Sequence, residues 1–412
     1  MVRPIAISLS PNTENDDLIL AIKTFCSPWK WFDESEVEKL EIEFAEYFGK
    51  NYKALAVNSG RSAQYLILKA LGIGKGDEVG IQAFTCVAVP NSILWLGARP
   101  IYIDIDESYN MDINDLKKKF SKKMKAIVVQ HTFGIPAELD SIKKFTRKHK
   151  LLLIEDCSHS LGATFKGKLV GTLTDVSFFS FGRDKVLSSV FGGVVLTSNY
   201  DIYKKIKELR EKLPYPPPFW VFQQLMHPLA FSIILPLYNL GLGKFILVLL
   251  QKTKLLSKAV YEDEKKGKKP KHFPTRMPGA LATLARNQFT KLERYNKKRK
   301  DFVNFYLKAL KNLSFDLTKE SKGAIWLRYP IRHPNARNLF EFVKKRGVLL
   351  GDWYRGIITP ATKLSQIGYT EGSCPIAEKY ADTVINLPTY PLLTKGQAGK
   401  VVSLLKLWLH TK

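Results

Sequence analysis

Three side chains with complementary chemistry follow the ends of two apolar segments near the middle of the chain. Asp156 ends the run "KLLLIED", while Ser180 and Lys185 follow the run "VSFF". An amine, a carboxylate and a hydroxyl at one site could hold pyridoxal phosphate, with the lysine forming a Schiff base and the carboxylate keeping the ring nitrogen protonated. Taken singly, an aspartate at a strand end often caps a helix, and a loop lysine is usually solvated. The pattern therefore indicates this chemistry without excluding the plainer roles.

A phosphate-binding element stands upstream of these residues. The segment "AVNSGRSAQYLILKAL" has the pattern of a strand, a short turn containing Gly60 and Arg61, and a helix. Backbone N–H groups at a helix N-terminus, together with small hydroxyl donors, are suited to binding phosphate.

The elements that must position these residues alternate between residues 53 and 200. Seven apolar, β-branched runs indicate strands: "KALAVNS", "DEVGIQAF", "RPIYIDID", "MKAIVVQHTF", "KLLLIEDCS", "VSFFSFG" and "GGVVLTS". Helical patterns separate several of them, and strands that are apolar on both faces indicate a mostly parallel sheet covered by helices. Ligands of such sheets bind at the carboxyl ends of the strands, where Asp156 would emerge.

The composition changes after residue 212, and we divide the chain there. We predict a large domain over 1–212, an apolar and basic helical insertion over 213–272, and a connecting helix with a small C-terminal α/β domain over 273–412. One long helix is expected over residues 280–313, and the segment "AIWLRYPI" is expected to form a strand of the small domain.

Charge and cysteine content limit the classes of partner. The net charge of +26 favours anionic partners such as phosphorylated small molecules or anionic lipid surfaces. Nucleic acid is not expected, because no nucleic-acid-binding signature occurs. The four cysteines lack paired spacing, which argues against disulfides and a metal site. The N-terminus has no apolar signal segment, so a cytoplasmic location is expected.

Several ordered blocks give the chain a wider resemblance. They are "VNSGRSAQYLIL", "GDEVGIQAFTCVAVPNSILWLGARPIYIDID", "IEDCSHSLGATFKGKLVGTLTDVSFFSFGRDK", "GGVVLTS" and "CPIAEKYADTVINLPTYPLLT". With them the chain resembles the DegT/DnrJ/EryC1/StrS sugar aminotransferases from about residue 35 to 405, apart from the insertion. The resemblance implies a fold-type-I pyridoxal-phosphate-dependent transferase, with a mostly parallel sheet in its large domain and a smaller C-terminal α/β domain. It also implies a homodimer with shared active sites.

The resemblance assigns roles to individual positions. Lys185 matches the Schiff-base lysine and proton shuttle, and Asp156 matches the partner of the pyridinium nitrogen. The other positions that match cofactor contacts are Gly60, Arg61, Cys86, His159 and Ser180. Trp353 and Tyr354 are expected to line the substrate pocket.

Three positions depart from the family pattern. Cys86 stands where many relatives place an aromatic ring against the pyridine face. Arg61 stands where threonine is common, and could bind phosphate or point to solvent. Pro274 replaces the asparagine of an Asn-x-Arg element that crosses the dimer interface, although Arg276 is kept. Arg276 is therefore either a phosphate or substrate contact or part of a structural salt bridge.

The resemblance favours one activity over an alternative. The retained lysine favours an aminotransferase that moves an amino group from glutamate to a nucleotide-linked keto-sugar, for glycan or secondary-metabolite synthesis. The alternative is a non-enzymatic cofactor-binding regulator, or a scaffold at a membrane-associated glycan assembly.

The apolar stretch from Phe219 to Leu250 is interrupted by prolines, glycines and a lysine, which predicts two shorter helices. They could lie in a membrane interface, associating the protein with the membrane through residues 219–258, with Lys252, Lys254 and Lys258 near lipid headgroups. They could instead pack on the protein as a lid or dimer element, or form a true span.

Overall fold

The computed structural model describes residues 4–9 and 12–411. The strands are β1 (Ile5–Ala6), β2 (Lys53–Val57), β3 (Glu78–Gln82), β4 (Thr85–Cys86), β5 (Arg99–Ile103), β6 (Met124–Gln130), β7 (Leu152–Asp156), β8 (Thr164–Phe165), β9 (Lys168–Leu169), β10 (Val176–Ser180), β11 (Gly193–Thr197), β12 (Asp316–Leu317), β13 (Tyr329–Arg332), β14 (Val348–Leu349), β15 (Ile358–Thr359) and β16 (Val384–Leu387). The helices are α1 (Asn15–Phe25), α2 (Glu34–Phe48), α3 (Gly60–Ala70), α4 (Ala88–Leu94), α5 (Ile113–Lys119), α6 (Leu139–His149), α7 (Tyr200–Glu211), α8 (Pro218–Leu237), α9 (Leu242–Lys252), α10 (Gly279–Phe289), α11 (Leu292–Leu310), α12 (Ala336–Lys344), α13 (Pro375–Thr383) and α14 (Lys395–His410).

A seven-stranded sheet in the order β2-β11-β10-β7-β6-β3-β5 forms the centre of the large domain. Its strands are parallel except β11, which is antiparallel to both of its neighbours. All seven strands expected from the apolar runs are present in this sheet, and their residues are largely buried because helices cover both faces. The predicted fold class is confirmed.

The sheet brings the chemistry-bearing positions to one edge. Asp156 is the last residue of β7, Gln130 ends the neighbouring β6, and Ser180 ends β10 on the other side. Because β6, β7 and β10 are parallel, these three residues emerge at the same carboxyl end of the sheet.

The C-terminal part forms a three-stranded antiparallel sheet, β12-β13-β16, with α12 packed on β16 and α14 packed on α11 and α12. The N-terminal strand β1 pairs with β14, and β15 pairs with β4, so that Thr359 lies beside Cys86. The domain boundaries given above stay a prediction.

The expected long helix is wrong in one respect, because it is divided into α10 and α11. The hydroxyl of Thr290 donates to the carbonyl oxygen of Asn287 at 2.8 Å, and the N–H of Lys291 bonds to Gln288, three residues back. These local bonds compete with the regular helical ladder and interrupt it.

The expected strand "AIWLRYPI" is shorter than predicted, since β13 begins only at Tyr329. Trp326 has φ 57°, in the left-handed region that a strand residue avoids. The carbonyl oxygens of Trp326 and Leu327 both accept the hydroxyl of Thr389 at 2.8 Å instead of entering a ladder.

The insertion contains the two predicted helices, α8 and α9. The α8 helix is 20 residues long and continues through Pro228 and Pro236. Residues 253–272, which we call the return segment, lead back from α9 toward the large domain.

Candidate active site

A cavity of about 310 Å³ opens at the carboxyl ends of the parallel strands. It is lined by nine of the residues singled out in the sequence: Gly60, Arg61, Cys86, Asp156, His159, Ser180, Lys185, Trp353 and Tyr354. A larger, open depression of about 1020 Å³ lies elsewhere, against α2 and Arg276. We place the site in the smaller cavity because it contains the lysine and the buried carboxylate together.

Lys185 reaches into the cavity from the loop between β10 and β11. Its Nζ lies 4.9 Å from the centre of the Trp353 indole ring. Burial lowers the pKa of Lys185, while the negative charge of nearby Asp184 opposes this effect. A lowered pKa makes the neutral, nucleophilic amine easier to reach.

Asp156 stands across the cavity at the end of β7, and its side chain is buried. Burial raises the pKa of its carboxyl group, an effect opposed by a hydrogen bond from Ser158 and by the charge of Lys185. The N–H of Ser158 donates to Oδ1 at 2.9 Å, which fixes the carboxylate orientation.

His159 connects the large domain to the C-terminal part of the chain. Its Nδ1 accepts the N–H of Phe133 at 3.3 Å, so its Nε2 carries the proton and donates to the hydroxyl of Tyr354, also at 3.3 Å. Its ring stacks on Trp353 with centroids 5.2 Å apart. Burial lowers the pKa of His159 well below its usual value, so the ring is neutral.

Helix α3 begins at one end of the cavity, close to Ser180. Ser59 caps the helix by accepting the N–H of Ser62, and the first turn leaves the N–H groups of Gly60 and Arg61 without helical partners. A Cβ at Gly60 would lie 2.8 Å from Cβ of Ser180, so only glycine lets the helix start this close to β10. This arrangement forms a cradle for an anion.

Together these residues fit pyridoxal phosphate. The helix N-terminus and Ser180 can hold the phosphate, Asp156 can face the ring nitrogen, and Lys185 can reach the aldehyde carbon. The fit rests on the unpaired N–H groups of the cradle and on the donor set of the cavity.

The side chain of Arg61 takes neither of the two roles expected for it. It forms an ion pair with Glu264 of the return segment, and Nη2 donates to the carbonyl oxygen of Ala259 at 2.9 Å. Glu264 is fully buried, and its Oε2 also accepts the N–H of Tyr261 at 2.9 Å. The charge of Arg61 is therefore balanced by a carboxylate, and its backbone N–H is what remains for a phosphate.

Cys86 and Trp353 meet the cavity from different directions. Cys86 lies at the β4–β15 contact, and burial raises the pKa of its thiol. Trp353 instead contributes an aromatic ring beside Lys185, and its indole also lies 3.3 Å from the guanidinium carbon of Arg328.

Arg276 does not line this cavity. Its Nη1 lies 2.7 Å from Glu34, and its Nη2 donates to the carbonyl oxygen of Glu211 at 2.8 Å. Its role as a residue that crosses to a partner subunit stays a prediction.

Sequence reasoning missed Arg183 and Arg328. Arg183 lines the cavity and donates to Ser257 of the return segment, and Arg328 is buried and donates to Asp184 at 2.9 Å. Nε of both arginines lacks a hydrogen-bond partner among the described residues. The available signal was Arg328 itself, because a buried charge inside an apolar run is uncommon without a function.

A second polar cluster, behind β6 and β7, is structural. His131, Glu155 and Cys157 place possible ligand atoms within 4.8 Å of one another. Glu155, however, accepts three backbone N–H groups at 2.7 to 2.9 Å and also contacts His131 Nε2 at 3.1 Å. These bonds occupy the carboxylate and tie the loop after β9 to the sheet.

Most of the chain matches one known protein family. The sequence profile of the DegT/DnrJ/EryC1/StrS aminotransferase family matches residues 13–212 and 249–406. The unmatched interval, 213–248, contains α8 and most of α9.

Two curated relatives align over most of the chain. A protein of Geobacillus stearothermophilus named pleiotropic regulatory protein is 27% identical, over 89% of this chain and 87% of its own length. The GDP-perosamine synthase of Vibrio cholerae is 28% identical, over 90% of both chains. Among solved structures, a Bacillus subtilis protein with the cofactor PMP bound has a TM-score of 0.75 at 21% identity, over 99% of this chain and 85% of its own.

Proposed function

Because the chain belongs to the DegT/DnrJ/EryC1/StrS aminotransferase family, we propose that it transfers an amino group from glutamate to a nucleotide-linked keto-sugar. The chain is a pyridoxal-phosphate-dependent sugar aminotransferase. The proposed parts are the donor, the nucleotide carrier, the residues that act and a role in glycan or secondary-metabolite synthesis. An aminotransferase is an enzyme, so the non-enzymatic alternative is not retained.

The observation that carries the proposal is the convergence of Lys185 and Asp156 in one cavity whose far end is a helix N-terminus. When bound, pyridoxal phosphate supplies an aldehyde that condenses with amines and a ring that withdraws electrons from the adjacent carbon. The neighbouring side chains must then supply the binding groups and the proton transfers.

Each side chain around the cavity has a separate role in the proposed reaction. Asp156 holds a proton on the ring nitrogen and keeps the ring electron-withdrawing. Lys185 Nζ would take a proton from the donor's α-carbon and return it to the carbon on the other side of the transferred nitrogen, two bonds away, because one flexible amine can reach both positions. The rings of His159 and Trp353 limit access of water to that amine.

The nucleotide part of the proposal is supported by charge and by a relative. Arg183 presents a guanidinium to the cavity, where a diphosphate would find a positive partner. The relative from Vibrio cholerae is named for a GDP-linked sugar. The net charge of +26 also favours approach of an anionic substrate.

The test is a screen of nucleotide-linked 3- and 4-keto-sugars with glutamate as donor, measured by formation of the amino-sugar and of 2-oxoglutarate. We expect one class of keto-sugar to be aminated. Lys185→Ala should lose at least about a hundredfold in rate, because a positioned proton-transfer group contributes about that much or more. Retained turnover in this variant would contradict the assignment of Lys185.

Borohydride treatment provides a second measurement. It should attach the cofactor permanently to the tryptic peptide that contains Lys185, and mass spectrometry should find no such attachment in the alanine variant. The matched control is Lys117→Ala, an exposed lysine on α5, which should behave as the unmodified protein.

A further inference from the structure

The end of the α8–α9 pair exposes an unusual concentration of apolar side chains. Seven of the fifteen large apolar residues that are exposed in the described chain lie between Phe219 and Leu249. Six of them are close in sequence around the turn between the helices: Ile233, Leu240, Leu242, Phe245, Val248 and Leu249. We call these six residues the hairpin face. A patch of this kind on a folded protein marks an interaction surface.

The α9 helix contributes most of the hairpin face. Leu242, Phe245 and Leu249 recur at helical spacing and are 49%, 64% and 46% exposed. Gly243 is the buried residue of this helix, at the close crossing with α8. Three further apolar side chains of α9 pack inward against the cluster on α8: Ile246, Leu247 and Leu250. The helix is therefore apolar on both sides and turns a second apolar stripe outward, unlike an ordinary surface helix.

In the chain segment that carries the hairpin face, every charged side chain is basic. Lys244, Lys252 and Lys254 are exposed on or directly after α9. The sequence contains no aspartate or glutamate between Glu211 and Glu262. An apolar stripe flanked by lysines and free of acids complements an anionic lipid headgroup layer above an apolar interior.

The same charge pattern disfavours a second copy as the occupant. A two-fold dimer would place the hairpin face against itself and bring these lysines close to their symmetry mates without any acid to balance them. A head-to-tail contact would need an acidic surface elsewhere, on a chain with a net charge of +26.

The helices also cannot both cross a bilayer in this arrangement. The stretch Pro218–Leu240 meets the length and composition of a span, but half of its window is buried inside the protein, including Trp220, Leu225 and Ile234. The α9 helix has 11 residues, about 16 Å, which is roughly half of an apolar bilayer core.

We propose that the hairpin face docks the enzyme onto an anionic phospholipid surface without crossing it. The sequence left open an interfacial position, packing on the protein as a lid or dimer element, and a span. An interfacial position agrees with the exposed apolar stripe of α9 and with the buried side of α8.

The test is co-sedimentation of the full chain with vesicles of phosphatidylcholine containing about 30% phosphatidylserine, against vesicles of phosphatidylcholine alone. We expect binding to the anionic vesicles only, and weaker binding as salt rises from about 0.1 to 0.5 M, because headgroup attraction is screened. Equal binding to both vesicles, or none to either, would overturn the proposal. Binding that resists salt and needs detergent for release would mean a span and would also overturn it.

Two triple variants separate the apolar and charged contributions. Leu242→Gln, Phe245→Gln and Leu249→Gln together should lower the vesicle partition constant at least about tenfold. Lys244→Gln, Lys252→Gln and Lys254→Gln together should lower it about a hundredfold, at about fivefold for each lysine.

The matched controls change exposed residues elsewhere. Ile42→Gln, Ile376→Gln and Leu407→Gln together, and Lys117→Gln, Lys118→Gln and Lys345→Gln together, should bind as the parent protein does. Loss of binding in the controls as large as in the hairpin variants would overturn the assignment to this face.

Sedimentation equilibrium without lipid tests the competing occupant. The apolar triple variant should keep the oligomeric state and cofactor absorbance of the parent, which also shows that it folds. A change to a smaller species would mean that a second copy covers the hairpin face, and would overturn the proposal.

Discussion

At the scale of single residues, Asp156 carries a negative charge that one substitution of the same shape can remove. Asp156→Asn keeps the shape of the side chain but removes the carboxylate that holds a proton on the cofactor ring. We expect the rate of amino transfer to fall about a hundredfold or more, because the ring then withdraws electrons poorly. Steady-state kinetics at saturating cofactor measures this effect.

The control for Asp156 is Asp382→Asn, the same change at an exposed position whose partner is Arg337. It should change the rate little. An asparagine variant with near-parental rates would mean that another acid faces the ring nitrogen.

His159 makes stability depend on pH in a defined window. Burial and the charges of Lys185 and Arg328 lower the pKa of His159 well below its usual value. Below about pH 6.5 the unfolded chain binds a proton at this position and the folded chain does not, so the free energy of unfolding falls as the pH falls. The slope reaches at most about 1.4 kcal/mol per pH unit, once the unfolded chain is fully protonated at this position.

Urea denaturation of the parent and of His159→Gln at pH 7.5, 6 and 5 isolates this contribution. The unfolding free energy of the parent relative to the variant should fall from pH 6 to pH 5, by at most about 1.4 kcal/mol. Parallel pH profiles would mean that the histidine is protonated in the folded chain.

At the level of elements, the pair of Glu264 and Arg61 fastens the return segment to the start of α3. Glu264→Gln leaves the Arg61 guanidinium without its charged partner in a largely buried position. We expect a loss of about 3–5 kcal/mol in unfolding free energy. The denaturation midpoint in urea measures it.

Glu262 provides the matched control, because it lies two residues away and is exposed, with Lys258 and Lys265 as partners. Glu262→Gln should leave the midpoint nearly unchanged. If the two variants behaved alike, the Glu264 pair would not fasten this segment.

The parts of the fold that sequence could predict are those with local signals. The seven sheet strands are continuous apolar runs, and the residues at their carboxyl ends follow directly from the parallel arrangement. The break at Thr290 and the left-handed Trp326 left no comparable pattern, because each depends on a side chain bonding to the backbone.

The candidate site divides in the same way. Nine of its residues were identified by motif or by resemblance, since they stand at strand ends or in recognisable blocks. The partner of Arg61 could not be identified from the sequence, because Glu264 lies 203 residues away in the chain. Pairings over such distances are set by tertiary packing and not by local spacing.

At the scale of the whole molecule, we predict a homodimer in which Arg276 completes the partner's active site. Mixtures of subunits test this directly. Lys185→Ala and Arg276→Ala homodimers should each be inactive. After denaturation and joint refolding, random pairing should restore about one quarter of the parental activity, because half of the dimers would contain one intact site out of two.

Refolding each variant alone is the control, and neither should recover activity. An active monomer at nanomolar concentration, or a mixture as inactive as its components, would contradict a site shared between subunits.

The distance between Arg61 and Glu264 also affects how the protein is made. During synthesis Arg61 leaves the ribosome 203 residues before Glu264. At about 5–20 residues per second, that interval is about 10–40 s. Only in the last part of this interval, after Thr197 has emerged, does the nascent large domain have all seven sheet strands. It still carries a guanidinium whose carboxylate has not yet emerged. The anion cradle therefore reaches its final form only after the insertion has emerged, so the cofactor site is completed late in synthesis.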